Sequence, residues 1–249
     1  MLISPPWTLF NIIFHIGFAA TGAFIIYSDY YDKWAALHYS KFSKGAGIPT
    51  RLGLFVIYFL PIVAATIFAW SYLPVASLIQ WAVYSAVILH FTKRVLETLF
   101  LHKFSGTVDI KTAAMITTIY SIIAGAISYF NKQTIPAMDF WFYTGTVIFI
   151  IGELGSFYHH KLLVDLRKER DGYHIPQGGL FKYVTCPHYF FELVAWFGIV
   201  LLSRHLFTLI AFLVAAAYLT ARSIRTHQWY QQRFPDYPAD RKYIVPFLF

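Results

Sequence analysis

Hydrophobic positions in this chain do not alternate with polar ones; they gather into long runs separated by polar stretches of unequal length. A helix rising about 1.5 Å per residue needs roughly 20 apolar residues to cross a hydrocarbon layer about 30 Å thick. Runs near that length fall at roughly 7–27, 52–72, 76–100, 111–130, 138–158, 188–203 and 205–222. The pattern predicts an all-α integral membrane protein of seven transmembrane helices. The first run lacks a basic flank and a small-residue cleavage site, so it reads as a retained span. Pro61 inside the second run and Pro74 just beyond it read as a local distortion or a stop.

The connections differ in length. Ser71 to Val75 and Ser203 to His205 are minimal turns, whereas 28–51, 101–110 and 159–187 are long and polar. All but Lys132 and Arg204 of the 20 Lys and Arg residues fall on the side of the long connections. By the positive-inside rule this puts the amino terminus outside and the carboxyl terminus in the cytoplasm. Long loops on a rigid scaffold carry chemistry, so function is expected at the cytoplasmic face. No flexible linker, low-complexity stretch or solenoid repeat divides the chain, and 1–249 reads as one membrane domain.

Composition sharpens this picture. The chain is 58% hydrophobic and 13% charged, against about 25% charged residues in soluble domains. The net charge of +8 follows topology instead of forming one basic patch, so nucleic acid is not expected as a partner. A single cysteine, Cys186, excludes an intramolecular disulfide and a multi-Cys zinc site. No metal is expected: HExxH is absent, and the adjacent His159 and His160 diverge by about 100° on a helix.

Ionisable residues at membrane depth cost about 2.5–3.5 kcal/mol each on insertion scales and are functional candidates by default. His90, Lys93, Arg94 and Glu97 cluster on the third run, with Lys93 and Glu97, and His90 and Arg94, spaced i,i+4. They read either as a snorkelling ladder that ends the helix or as a site. Glu153 is a lone carboxylate in the fifth run: hydrogen-bonded within the bundle, protonated, or in contact with a ligand.

The stretch LVDLRKER (163–170) breaks at Gly172 and continues as YHIPQGGLFKYVTCPHYFFE (173–192). Gly178 and Gly179 permit a tight turn and close approach to a ligand. Around them stand Arg167, Lys168, Arg170, Tyr173, His174, Lys182, Tyr183, His188 and Tyr189. Forked Arg donors suit phosphate, and Tyr and His stack on or bond to a base, so the composition suits a dinucleotide. With no GxGxxG after a strand, a different device must hold it. Glu192, opening the sixth run, suits a carboxamide or ribose hydroxyl, or simply the helix dipole. The tail with Arg222, Arg225, His227, Trp229, Tyr230, Arg233, Tyr237 and Arg241 reads by itself as a basic interfacial helix.

In order and spacing, IPQGGLFKYV, PHYFFE and HQWYQQRFPDYPADRKYIVPFLF, over roughly 153–249, resemble the steroid 5α-reductase family. KRVLETLFLHKFS at 93–105 is similar to the third-helix signature of very-long-chain trans-2-enoyl-CoA reductases. The resemblance implies a seven-helix membrane reductase using NADPH, with a substrate pocket in about 1–135 and the cofactor in about 136–249. It implies that Arg167, Tyr173, His174, His188, Glu192, His227 and Tyr230 line the cofactor, with His102 and Lys103 at its phosphates. Ser156 and His160 stand where the steroid enzymes carry an Asn and an Asp that touch nicotinamide or ribose. Arg222 and Arg241 match arginines expected to brace the cytoplasmic cap.

The steroid enzymes polarise the 3-keto group with a Glu on the second helix and a Tyr on the third, positions held here by Phe59 and Phe91. The enoyl-CoA enzymes use a Lys and a Tyr, present here as Lys93 and Tyr189. The expected catalytic set is therefore Tyr189 and Lys93, with Tyr58 as a further donor and Glu97 one turn from Lys93. The implied chemistry is reduction of a carbon–carbon double bond conjugated to a carbonyl, favouring a Δ4-3-oxosteroid with an enoyl-CoA as the alternative. More distant readings are an isoprenylcysteine-type membrane methyltransferase and a non-enzymatic seven-helix protein, the latter expected to have polar, Gly/Pro-broken midplane helices. Expected partners are a lipophilic small molecule and membrane lipid, with no obligate protein partner. The expected location is a bacterial inner membrane or the endoplasmic reticulum, the cofactor arriving from the cytoplasm.

Overall fold

A computed structural model describes residues 2–39, 42–43, 47–102, 104, 106–133, 138–169 and 172–249, without the side chains of 167–169. Among them are seven α-helices: α1 (Leu9–Tyr30), α2 (Thr50–Ala69), α3 (Leu78–Leu96), α4 (Ile110–Phe130), α5 (Phe140–Glu169), α6 (Pro187–Ser203) and α7 (Leu206–Arg233). A short antiparallel pair, β1 (Ile48–Pro49) and β2 (Thr107–Val108), ties the start of α2 to the start of α4.

Local chemistry sets the helix starts. Thr8 accepts from the Asn11 N–H at the head of α1, and Asp109 accepts from the Thr112 N–H at the head of α4. Ser77 and Gln80 form a reciprocal capping box on α3. Pro187 occupies the first turn of α6, where its missing N–H costs nothing. α3 continues into a wider π turn over Glu97–Leu101, closed by the His102 N–H donating to the Glu97 carbonyl at 2.9 Å.

Five helices, α1, α2, α4, α5 and α7, are long and apolar enough to cross a membrane, and the protein is a helical integral membrane protein. α3 is diluted by His90, Lys93 and Arg94, and α6 has 17 residues, so neither meets that measure. Two expected ends need correction. α5 does not stop at 158 but runs to Glu169, and α7 does not stop at 222 but runs to Arg233. The hydrophobic run marks only the part of a helix that lipid covers; the polar continuation stays helical where other elements pack on it.

Packing is tightest between α5 and α6. A Cβ on Gly152 would lie 2.2 Å from the Ala195 backbone nitrogen, and one on Gly198 would lie 2.5 Å from that of Phe149. The two backbones therefore touch, as small residues allow between membrane helices. The carboxyl-terminal tail returns to the head of α6: Thr185 N–H donates to the Lys242 carbonyl (2.8 Å) and Cys186 N–H to that of Tyr243 (3.1 Å).

Candidate active site

Between α1, α2, α3, α4, α6 and α7 lies a cavity of about 340 Å³, within the range of small-molecule sites. Its walls are mainly apolar, with Phe14, Phe18, Ile116, Ile119, Ile123 and Trp196 among them. The polar groups that line it are Thr21, Tyr39, Tyr58, His90, Tyr120, Glu192 and Tyr218. Ile13 on α1 (60% exposed) and Ile122 on α4 (40% exposed) line the same cavity. The wall between those helices thus faces the surrounding lipid as well as the interior.

Behind the His90 wall, α3 and α5 are joined by a buried chain of charges. His90 Nδ1 lies 2.6 Å from Glu153 Oε1, and Lys93 Nζ lies 2.7 Å from Glu153 Oε2. Arg94 Nη1 donates to Glu97 Oε2 at 2.5 Å, and His160 Nδ1 lies 3.0 Å from the same oxygen. Two carboxylates face two permanent cations, which is the balance a low-dielectric site demands. The π turn gives Glu97 its aim toward α5; such turns concentrate at functional sites. Glu153, alone in its run, is thus partnered on both oxygens by residues about sixty positions away, and a single sequence offers no signal for that.

The cavity and the ionic chain meet at Tyr58. Arg94 Nη2 donates to the Tyr58 hydroxyl oxygen at 2.8 Å, and its guanidinium lies 4.8 Å from the ring centre. The phenol oxygen is occupied as an acceptor, so its own hydrogen is available to a group in the cavity. Of the two positions aligned with the family's carbonyl-polarising pair, Phe91 lines the cavity. Phe59 is 42% exposed and stacks on Phe55 at 5.2 Å. It is Tyr58 that turns inward from α2.

A second polar region surrounds the head of α6. Gly178 (φ 83°) and Gly179 (φ 49°) take left-handed backbone, and a Cβ on Gly179 would lie 2.7 Å from His159 Nε2. His159 accepts from the Leu180 N–H at 3.0 Å and bonds the Gly155 carbonyl through Nδ1, so it braces the glycine turn. His160 faces the other way, its ring 5.3 Å from His188 and 5.4 Å from His102. Ser156 is buried one turn before His160 on α5. Thr185 Oγ1 lies 2.7 Å from His227 Nδ1 and 2.8 Å from the Tyr237 hydroxyl, while Tyr230 stacks on Tyr237. Burial pushes the Tyr237 phenol up from its ordinary pKa. Tyr173 packs on Trp229 with ring centres 5.0 Å apart, and His174 follows it in the same irregular stretch. Arg241 is buried, and its Nε and Nη1 have no hydrogen-bond partner among the described residues. Such donors fit an anion.

The expected site residues therefore fall into three groups. His102, His160 and His188 converge near Arg94 and Glu97, with Ser156 one turn before His160; His227 and Tyr230 gather with Arg241 around Tyr237, while Tyr173 packs on Trp229; Glu192 lines the cavity itself. Lys103 and the side chain of Arg167 lie outside the described residues, as do the side chain of Lys168 and all of Arg170. Of the expected catalytic set, Tyr58 lines the cavity and Glu97 is its neighbour through Arg94. Lys93 is not joined to Tyr189 by a hydrogen bond or ring contact; its amine rests on Glu153. Tyr189 lies against His188 (4.3 Å) and within electrostatic reach of Arg222, Tyr39 and Glu192.

Sequence reasoning passed over Tyr39, Tyr120 and Tyr218, which lie in apolar or loop surroundings with no motif to mark them. Tyr39 and Tyr218 hydroxyls pair at 3.1 Å, beside Arg222, which holds buried Asp29 at 3.0 Å and the Leu37 carbonyl at 3.2 Å. Glu97, His102 and His160 also offer ligand atoms within 4.8 Å of one another. Arg94 already lies 2.5 Å from Glu97 and 2.9 Å from His160. A metal ion there would meet a guanidinium at contact distance.

Fold and site together define a helical membrane protein in which a mainly apolar cavity abuts a largely buried charged cluster. Residues 107–249 match the family described as 3-oxo-5-alpha-steroid 4-dehydrogenase, and the chain belongs to that family. It is 41% identical over 114 residues to steroid 5-alpha-reductase DET2 of Gossypium hirsutum, covering 44% of each chain. It is 40% identical over 108 residues to 3-oxo-5-alpha-steroid 4-dehydrogenase 1 of Rattus norvegicus, covering 43% of this chain and 42% of that one. To the very-long-chain enoyl-CoA reductase of Dictyostelium discoideum it is 35% identical over 168 residues, 64% of this chain and 55% of the other. The chain spans about half the length of the curated relatives it matches. The double resemblance read from the IPQGGLFKYV block and from residues 93–105 is thus matched by relatives of both kinds.

Proposed function

We propose that this protein reduces a carbon–carbon double bond conjugated to a carbonyl in a lipophilic substrate at the expense of NADPH, with a Δ4-3-oxosteroid as the preferred substrate. The observation that carries the reading is Tyr58: a phenol inside an apolar cavity, its oxygen held by Arg94 and its hydrogen available to a ligand. As the β-carbon of an enone accepts a hydride, negative charge develops on the carbonyl oxygen. A fixed donor in a dry site stabilises that enolate, and removal of one such donor costs about 10²–10³ in kcat.

NADPH supplies the hydride when bound. Ser156, His160, His188 and Glu192 are suited to its nicotinamide half, and Tyr173, His174, His227, Tyr230 and Arg241 to its adenosine phosphate half, with His102 and Lys103 at its phosphates and Arg167 adding charge. The unpartnered buried donors of Arg241 support that assignment. Arg94 positions Tyr58, Glu97 positions Arg94, and Lys93 acts through Glu153. Tyr189, near Glu192, serves as a second donor. In this reading all seven helices cross the membrane with the amino terminus outside, residues 1–135 forming most of the substrate pocket and 136–249 most of the cofactor site.

An enoyl-thioester substrate is the second reading. It is favoured by the reach of the match to the Dictyostelium discoideum enoyl-CoA reductase, 64% of this chain. Protein purified in detergent and followed by NADPH absorbance, first with progesterone and then with a trans-2-enoyl-CoA, separates the two. Faster oxidation with progesterone supports the steroid reading, faster oxidation with the thioester supports the second, and none with either overturns both.

A further inference from the structure

His15, His159 and His205 are buried histidines whose rings bond a backbone carbonyl, those of Asn11, Gly155 and Gln133. His90 differs on two counts. Its Nδ1 is bonded at 2.6 Å to a carboxylate, Glu153, which Lys93 holds from the other side at 2.7 Å. Its ring also forms part of the cavity wall, against Trp196 at 4.9 Å. With Nδ1 committed to Glu153 on α5, Nε2 is the ring nitrogen left for the cavity that His90 lines, and it makes no hydrogen bond among the described residues. A carboxylate on Nδ1 fixes the tautomer and ring orientation and steadies the imidazolium, the arrangement that suits a histidine to move protons at Nε2. His90 also lies one turn before Arg94 on the same face of α3, and it lines the same cavity as Tyr58, whose hydroxyl Arg94 holds.

We infer that His90 is the proton donor of the reduction, with Glu153 as its positioning residue. The inference rests on the reductase reading above. Hydride from the nicotinamide bonds to the β-carbon, and the electron pair of the double bond moves to form the enolate. The Nε2–H bond of the His90 imidazolium then breaks, and the enolate electron pair forms the new C–H bond at the α-carbon. The imidazole is left neutral and regains its proton from water, while the nicotinamide ends oxidised.

The test uses full-length protein in detergent. His90→Ala should lower kcat with an enone by about 10²–10⁴, the usual contribution of a positioned acid, with NADPH affinity within about twofold of wild type by fluorescence titration. Added imidazole should restore turnover at least about tenfold, while pyrrole, of equal size but unable to carry the proton, should not. Turnover within about threefold of wild type, or equal rescue by both compounds, overturns the inference, since the ring then only fills space. Should His90→Ala fail to fold, His90→Gln occupies the same position, and kcat near wild type there overturns the inference equally. Wild-type protein that oxidises no NADPH with any enone removes the reductase reading and this inference together; active wild type with an active variant removes the inference alone.

Discussion

The two sides of the cavity are built on opposite packing rules. On one side α5 and α6 meet backbone to backbone, where a Cβ on Gly152 or Gly198 would collide with main-chain atoms. This fixes Glu153, Ser156 and His160 on α5 relative to His188 and Glu192 on α6. On the other side only 11% of the apolar window of α1 is buried, and a Cβ on Gly17 would meet nothing within 4 Å. A Cβ on Gly22 would lie 2.5 Å from a Val214 methyl, a side-chain contact and not a main-chain one. Charge chemistry in low dielectric needs sub-ångström placement, and the close-packed pair holds Glu153 and His160 against the charged residues of α3. For the lipophilic substrate proposed above, the sparsely buried α1 side of the cavity offers a way in from the bilayer.

The sharpest way to break this contrast is to place the same side chain on both walls. Gly152→Leu should cost about 3 kcal/mol or more, because the Ala195 backbone must move; loss of the monodisperse peak in size-exclusion chromatography would report it. Gly17→Leu should leave that peak and the melting temperature near wild type. Next in size, Tyr58→Phe removes only the hydroxyl at the junction of the two regions. It should lower kcat by about 10²–10³ with NADPH affinity unchanged in a fluorescence titration.

A smaller effect belongs to the open wall. Gly17→Trp should narrow it and lower kcat/KM for a steroid by about tenfold, mainly through KM, with cofactor affinity intact. Smallest is the turn far from the site. The hydrogen bond from Arg204 (2.8 Å) holds the Asp139 carboxyl below its usual pKa. A depressed carboxyl contributes stability above its unfolded pKa of about 3.9 and loses it as pH falls through the lower folded value. Between pH 5 and pH 3 wild type should therefore lose slightly more melting temperature than Asp139→Asn, by about 2 °C or less in a thermal scan.

The close-packed side was the less legible of the two in the sequence. Helices announce themselves through apolar runs, and each of the seven α-helices among the described residues overlaps such a run, while polar residues carry α5 and α7 beyond the ends of theirs. Gly152 and Gly198 carried no visible role, because a glycine in an apolar run marks a helix contact only once its neighbour is known. The charged cluster on α3 was evident from residue type, yet its partner Glu153 stood alone in its own run. Side-chain direction was the other loss. Phe59 and Tyr58 are adjacent on α2, and only the folded helix shows that the tyrosine faces the cavity while the phenylalanine faces outward. Motifs near the head of α6 were legible as a nucleotide-type surface because turn glycines, histidines and arginines cluster there within one stretch.

Isotope placement tests most directly the proposed conjugate reduction in the apolar cavity, with a held phenol at the carbonyl oxygen. With NADPH deuterated at the transferred position of the nicotinamide and a Δ4-3-oxosteroid, the saturated ketone should carry one deuterium at the carbon β to the carbonyl. A deuterated alcohol at the carbonyl carbon, or no labelled product from any enone, would contradict it.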